Sequence, residues 1–277
     1  MNTQKPKEGN RMNSTNLWVY NPEDKNRDIA TVSQARLELF EPTLKLPKGK
    51  IVTRASEDGK NPWGKITVAG RLCQAHQNLL ECGVNIAERT RITPDGRFVL
   101  LIDPSKLSRE LSPTRSRYSY GIMRELFADV QDAKLTIENR DLISAHIIDS
   151  FAEKNAGRIV AVPSRQLGMV MVEKIWWIIT FSNAWSSFIL GDLPTRYRGH
   201  LQSIIKLRHG ASQALARLML SHSVEAAIGS EKAMDALGVS RRRDKVLREW
   251  LRDADQLAAM GINLTPTMIK IMAAKAQ

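Results

Sequence analysis

The sequence predicts an α+β fold in which two units of mixed helices and strands follow one another behind a mostly disordered N-terminal tail. Three observations predict it. Apolar residues recur at helical spacing in some stretches and as short strand-like runs in others. An order of short helix, tight turn, longer basic helix and strand occurs twice along the chain. The first sixty or so positions, rich in Lys, Asn, Pro and Thr, show little periodicity of either kind. The expected boundaries are a tail over residues 1–61, a first unit over 62–192 and a second over 193–277.

Element by element, Asn61-Pro62-Trp63-Gly64 reads as a turn before the first unit. From Lys65 the spacing of Val68, Leu72, Ala75, Leu79 and Leu80 predicts a helix. Pro94-Asp95-Gly96 predicts a turn and Phe98 to Ile102 a strand. Asp103 is placed to cap a short helix with Pro104 at its first position, ending at Leu111. A longer helix is expected from about Ser116 to Val130, with Ile122, Met123, Leu126, Phe127 and Val130 on its apolar face. Strands are expected at Leu135 to Ile137, Ala145 to Ile148 and Met169 to Val172, with a turn at Asn155-Ala156-Gly157. The second unit opens near Leu193-Pro194. Ile204 to Leu207 reads as a short strand or helix end, followed by helices over Ala211–Ser221 and Ser230–Leu237. After Gly238 a long helix runs from Ser240 to about Leu257. Two such passages match a helix-turn-helix followed by a wing, so the architecture expected is two tandem winged-helix domains.

The charge balance speaks to partners. With 41 Lys+Arg against 29 Asp+Glu the net charge is +12, and the partners such a surface suits are nucleic acid or an anionic membrane. The most apolar stretch, Ile175 to Leu190, is broken by Thr180, Ser182, Asn183, Ser186 and Ser187. It is also shorter than the ~20 residues a spanning helix needs. Met1 to Asn16 is polar and has no signal-peptide pattern. The two cysteines, Cys73 and Cys82, suit neither a disulfide scaffold nor a zinc finger. The expectation is a cytoplasmic protein that binds double-stranded DNA.

Within the second unit the segment Arg241 to Arg252 carries six cations against two anions. On a helix, Val246, Leu247, Trp250, Leu251 and Ala254 make an apolar stripe. Arg241, Lys245, Arg248 and Arg252 gather on the opposite face. Arg241, Arg242 and Arg243 stand at the end that reaches base edges in helix-turn-helix proteins, where guanidinium groups pair with guanine. Lys245, Arg248 and Arg252 are the expected phosphate contacts. Cations at a helix N-terminus oppose the macrodipole, which argues against a merely solvated face. In the first unit Arg115, Arg117 and Arg124 flank or face out from the helix expected after Ser116. There a backbone-contacting role and an ordinary surface helix stand level.

Catalytic patterns are missing. His76, His146, His200, His209 and His222 are scattered without metal-ligand spacing, and no GxxxxGK[ST] loop occurs. No cofactor, metal or enzymatic activity is expected.

The run Trp177-Ile178-Ile179-Thr180-Phe181-Ser182, Trp185, Tyr197, Leu207-Arg208-His209-Gly210 and Ser212-Gln213-Ala214-Leu215-Ala216-Arg217-Leu218-Met219-Leu220-Ser221-His222 resembles plasmid replication initiators of the tandem winged-helix, iteron-binding type. The likeness is to those of broad-host-range plasmids, and it extends over about Lys65 to Asn263. It implies binding to repeated origin sites, help in opening an adjacent AT-rich region, and recruitment of a replicative helicase and host initiator. It also implies a monomer–dimer switch and a homodimer. A transcriptional regulator with the same domains is the alternative reading. Arg36-Leu37-Glu38-Leu39-Phe40 is similar to the QLxLF peptide that binds the bacterial sliding clamp, with arginine in place of glutamine and Gln34 two residues earlier. Leu37, Leu39 and Phe40 are therefore candidates either for clamp docking from a disordered segment or for docking on the protein's own first domain.

Overall fold

The computed structural model describes residues 30–272, except 38, 57–62, 113–117, 139–141, 165–167, 192–193, 196, 223–224 and 240–241. The chain enters through β1 (Ala30–Thr31) and α1 (Val32–Arg36). A reciprocal pair opens α1: Thr31 N donates to Gln34 Oε1 at 2.8 Å, and Gln34 N donates to Thr31 Oγ1 at 3.2 Å. β2 (Val52–Ser56) and β3 (Lys65–Gly70) follow as antiparallel neighbours, then α2 (Gln74–Ile86). The helix expected from Lys65 is thus a strand first. Ile66 and Val68 are buried while Lys65 is exposed, the alternation of a half-buried strand. At its end a Cβ on Gly70 would stand 2.7 Å from Ala133 Cβ, so only glycine admits that approach.

β4 (Arg89–Ile92) and β5 (Phe98–Ile102) form a hairpin across the expected Pro94–Gly96 turn. Asp103 caps α3 (Pro104–Leu111), accepting from Ser105 N at 2.9 Å. α4 (Tyr120–Asp132) is capped by Ser119, whose Oγ accepts from Ile122 N, so the helix starts later than Ser116. Then come β6 (Lys134–Glu138), β7 (Leu142–His146), β8 (Ile148–Ser164), β9 (Gly168–Phe181) and α5 (Asn183–Gly191). The turn expected at Asn155-Ala156-Gly157 is instead a bulge inside β8. Its register with β9 shifts between Asn155 and Ile159, and Gly157 takes a φ of +61°.

β10 (Pro194–Thr195) pairs with β1, and a 3₁₀ turn (Tyr197–Gly199) leads to α6 (Leu201–Lys206) and α7 (Gly210–Leu220). The chain ends with β11 (Ala226–Gly229), α8 (Ser230–Ala236), α9 (Arg243–Arg252), α10 (Ala254–Ala258), β12 (Ile262–Leu264) and β13 (Met268–Ile271). The single long helix expected up to Leu257 is broken at Asp253. That buried carboxylate accepts from His209 N at 3.2 Å and pairs with His209 Nδ1 at 2.9 Å.

The two halves repeat one order of elements. In the first, α2, β5, α3, α4, β8 and β9 follow one another. In the second, α7, β11, α8, α9, β12 and β13 do, with α10 added between α9 and β12. In each sheet the last strand lies between the other two: β5-β9-β8 and β11-β13-β12. The first half adds β4 at one edge, and β6 and β7 join β2 and β3 in a separate antiparallel sheet.

A continuous apolar core runs from Ala30 to Ile271 through both halves. At their seam lies a buried polar network. Arg217 on α7 donates from Nε and Nη2 to Glu81 on α2, with a closest approach of 2.6 Å. It also donates to Gln74 Oε1 and Asn78 Oδ1. Tyr197 Oη donates to Glu81 Oε1 at 2.7 Å. Burial, then the negative charge of Glu81, pushes the Tyr197 phenol well above its ordinary range.

Within the segment expected to be a disordered tail, residues 30–37 and 39–56 are folded. Leu39 is 2% and Phe40 6% exposed, both inside the core, and Leu37 packs against it. The apolar knot therefore needs no outside partner to leave water. Leu37 and Phe40 line a small gap beside Gln74 of α2 and Ala214 of α7, so they dock at the seam between halves and not on the first half alone. Arg36, in place of the clamp motif's glutamine, donates from Nε to Ser221 Oγ at 2.9 Å and from Nη2 to Ser221 O. A cation at the C-terminal end of α7 is favoured by the helix dipole.

Candidate nucleic-acid interface

α8 and α9 meet through a tight connection. Gly238 takes a φ of +63°, and Val239 N donates to Met234 O. Arg242 precedes α9 in the left-handed region, φ 55°, a conformation that costs a non-glycine residue about 1–2 kcal/mol. On its inner side α9 is anchored by Trp250, fully buried, with Nε1 donating to Ala211 O at 3.0 Å. Val246 and Leu247 pack beside it, whereas Leu251, expected in the apolar stripe, is 41% exposed.

The outer side is cationic, but its cations differ in how free they are. Arg243 donates to Glu231 at 2.5 Å and to Asp235 of α8, and from Nε to Val239 O. Those two carboxylates hold its pKa above the ordinary guanidinium value. Arg248 pairs with Asp244 at 2.6 Å, both exposed, and exposed Lys245 with half-buried Glu249 at 3.6 Å, each pair one turn apart. Surface pairs of this kind contribute little to stability and exchange readily for a phosphate partner. Arg242 and Arg252 are exposed and carry no ion pair among the described residues. Arg241 lies outside the described residues.

In the first half α4 holds the equivalent place in the order. Met123, Phe127 and Val130 are buried as expected, but Ile122 is 41% exposed and turned away from the core. Arg124 faces out and is held by Glu153 of β8, at 2.5 Å from Nε and 3.0 Å from Nη2. Arg115 and Arg117 lie outside the described residues. The first half therefore brings no free cation onto α4.

A further cluster was not legible in sequence. Cys73 Sγ lies 3.3 Å from His76 Nδ1, and His76 Nε2 lies 3.1 Å from Asp129 Oδ2, which also pairs with Arg71 at 3.0 Å. Burial works to lower the His76 pKa, but hydrogen bonds to Asp129 and Cys73 outweigh it and leave the pKa raised. The order thiol, imidazole, carboxylate is that of a nucleophilic site. Yet Cys73 is 1% and His76 3% exposed, and in the neutral ring His76 Nδ1 accepts from Cys73 N at 3.1 Å, closing the first turn of α2. The cluster is a helix cap. Among the described residues no group of His, Cys, Asp and Glu is arranged to hold a metal. No helix among them is long and apolar enough to cross a membrane.

No protein-family model matches the chain, and no curated protein does. Among solved structures, one neighbour carries the comparison. The fold is similar to that of domains 2 and 3 of RctB, in a crystal structure of selenomethionine derivatives, with a TM-score of 0.53 at 9% identity. The match covers 88% of this chain and 99% of that one, so the likeness extends through both halves. A second RctB domain 2–3 structure aligns at a TM-score of 0.46 and 7% identity, over 82% and 92% of the two chains.

Proposed function

We propose that the chain is a sequence-specific double-stranded DNA-binding protein that initiates replication of a plasmid from repeated origin sites. The observation that carries this reading is α9: a helix braced on α8, anchored by Trp250, with Arg242, Lys245, Arg248 and Arg252 turned to solvent. The repeated element order, with the last strand interior in each sheet, supports two winged-helix units, with α9 as the recognition helix of the second. The resemblance of the Trp177–His222 region to plasmid initiators supplies the origin as the target and host replication proteins as the partners. Arg242 is assigned to base edges, and Lys245, Arg248 and Arg252 to phosphates. Arg243, spent on Glu231 and Asp235, sets the angle between α8 and α9. The protein acts without cofactor or catalysis.

Footprinting of the purified full chain on DNA from its own replicon tests this. Protection of several direct repeats at the origin is the expected result. Protection of one promoter palindrome, with none at the origin, would make the chain a transcriptional regulator.

A further inference from the structure

Beside the start of α9 lies an open cleft of about 670 Å³. One wall is α9 with Arg242 and Lys245, and the floor is Arg208, His209 and Gly210 at the start of α7. The other wall is not part of the second half at all. It is the strap Glu41–Lys50, which arrives from the N-terminal side and carries Lys45 and Lys50.

The strap is seated, not draped. Glu41 N donates to Leu72 O at 3.0 Å, and Gln74 N donates to Thr43 O at 2.9 Å. A Cβ on Gly210 would stand 2.4 Å from Thr43 C and 2.6 Å from Leu44 N, so the strap touches α7 where only glycine leaves room. Glu41 is taken by Arg54 at 2.6 Å, and Glu249 faces Lys245. Both acids that line the cleft among the described residues are thus already paired. Lys45, Lys50, Arg208 and Arg242 are exposed and have no ion pair among the described residues. Four unpaired cations around one concavity repel one another and are stabilised together by an anion. Among the described residues no tryptophan, tyrosine or phenylalanine lines the cleft, and its excess of free cations suits phosphate better than a base. Recognition falls to phosphate.

We infer that this cleft is a phosphate-binding site, and that its ligand is the DNA backbone flanking the bases met by α9. The assignment rests on the DNA-binding reading of α9 and adds a partner surface contributed by the N-terminal strap. It makes the DNA site a composite of the second half and the N-terminal strap.

The test uses the full chain, its own origin duplex and a random duplex, with affinity measured across a salt series. Each phosphate contact removed lowers the magnitude of the slope of log K against log salt by about 0.9. Lys45→Gln with Lys50→Gln should lower it by about 2 on both duplexes, with the melting temperature unchanged because both side chains are exposed. Gly210→Ala, which removes no charge but forces the strap outward, should lower it in the same direction. An unchanged slope in the double variant, while Arg248→Ala still lowers it, would overturn the cleft and leave the α9 reading intact. A wild-type chain that binds neither duplex would overturn both. A parallel titration with tripolyphosphate separates the sources. Binding lost in the double variant, with the duplex slope unchanged, would replace the DNA backbone by a free polyphosphate as the ligand.

Discussion

α4 and α9 occupy equivalent places in the two repeats, yet they present opposite chemistry. α9 carries Arg243, Lys245, Arg248 and Arg252 against Asp244 and Glu249, and its exposed cations are free or loosely paired along the helix. α4 carries Arg124 against Glu125, Asp129 and Asp132, and its arginine is bound to the long β8–β9 hairpin. A duplicated order of elements therefore does not duplicate the interface. The scaffold repeats because each unit must bury one face of its sheet under helices. The charge does not, because solvent-facing positions are not constrained by that packing.

The sharpest way to break the comparison is to separate the halves. Arg217→Ala would leave Glu81 as a buried, unpaired charge and remove the donor to Gln74 and Asn78. Breaking one partner of such a pair costs about 3–5 kcal/mol. A large fall in the urea midpoint is expected, along with loss of a single cooperative transition. A fragment starting near Leu193 should fare no better, since it lacks Glu81, Leu39 and Phe40. Retention of a wild-type midpoint in Arg217→Ala would show that the seam contributes little.

The second contrast sets the two helices side by side. Arg248→Ala with Arg252→Ala should lower the salt slope of duplex binding by about 2, whereas Arg124→Ala should leave it unchanged. Equal effects from both would mean that α4 also touches DNA.

Arg242 allows a smaller and signed test. Arg242→Gly relieves left-handed backbone strain and should raise stability by roughly 1 kcal/mol. It should at the same time weaken binding to the origin repeats more than to random DNA. A stabilised variant with undiminished specificity would remove Arg242 from base reading.

The smallest effect concerns pH. His76 has a raised folded pKa, so the stability it contributes is fully present below its unfolded value near 6.5. That contribution is lost as pH rises through the higher folded value. Urea midpoints should therefore decline from pH 6 into the alkaline range in the wild type, and less so in Asp129→Asn, where the imidazolium loses its partner. Parallel declines would exclude this pair as the cause.

Local signals were legible wherever a single element decides its own ends. Asp103-Pro104 capped α3, the Pro94–Gly96 turn stood where expected, and the segments Ala211–Ser221 and Ser230–Leu237 became α7 and α8 within a residue or so. The errors fell where a distant partner intervened. Lys65–Gly70 had helical spacing but found β2 and β6 on either side. Asn155-Ala156-Gly157 had turn composition but lay between two halves of a strand paired with β9.

The candidate site divides along the same line. That a cationic, amphipathic helix should follow Gly238 was determined by the sequence alone, because period and charge are properties of the segment itself. Which of its cations are free was decided only by tertiary structure, since Glu231 and Asp235 reach Arg243 from another helix. The same holds for Leu37, Leu39 and Phe40. Their apolarity demanded burial, but whether in a partner or at the seam of this chain depended on α2 and α7 standing together. Sequence states what a residue must bury or pair; only the fold brings the partner within reach.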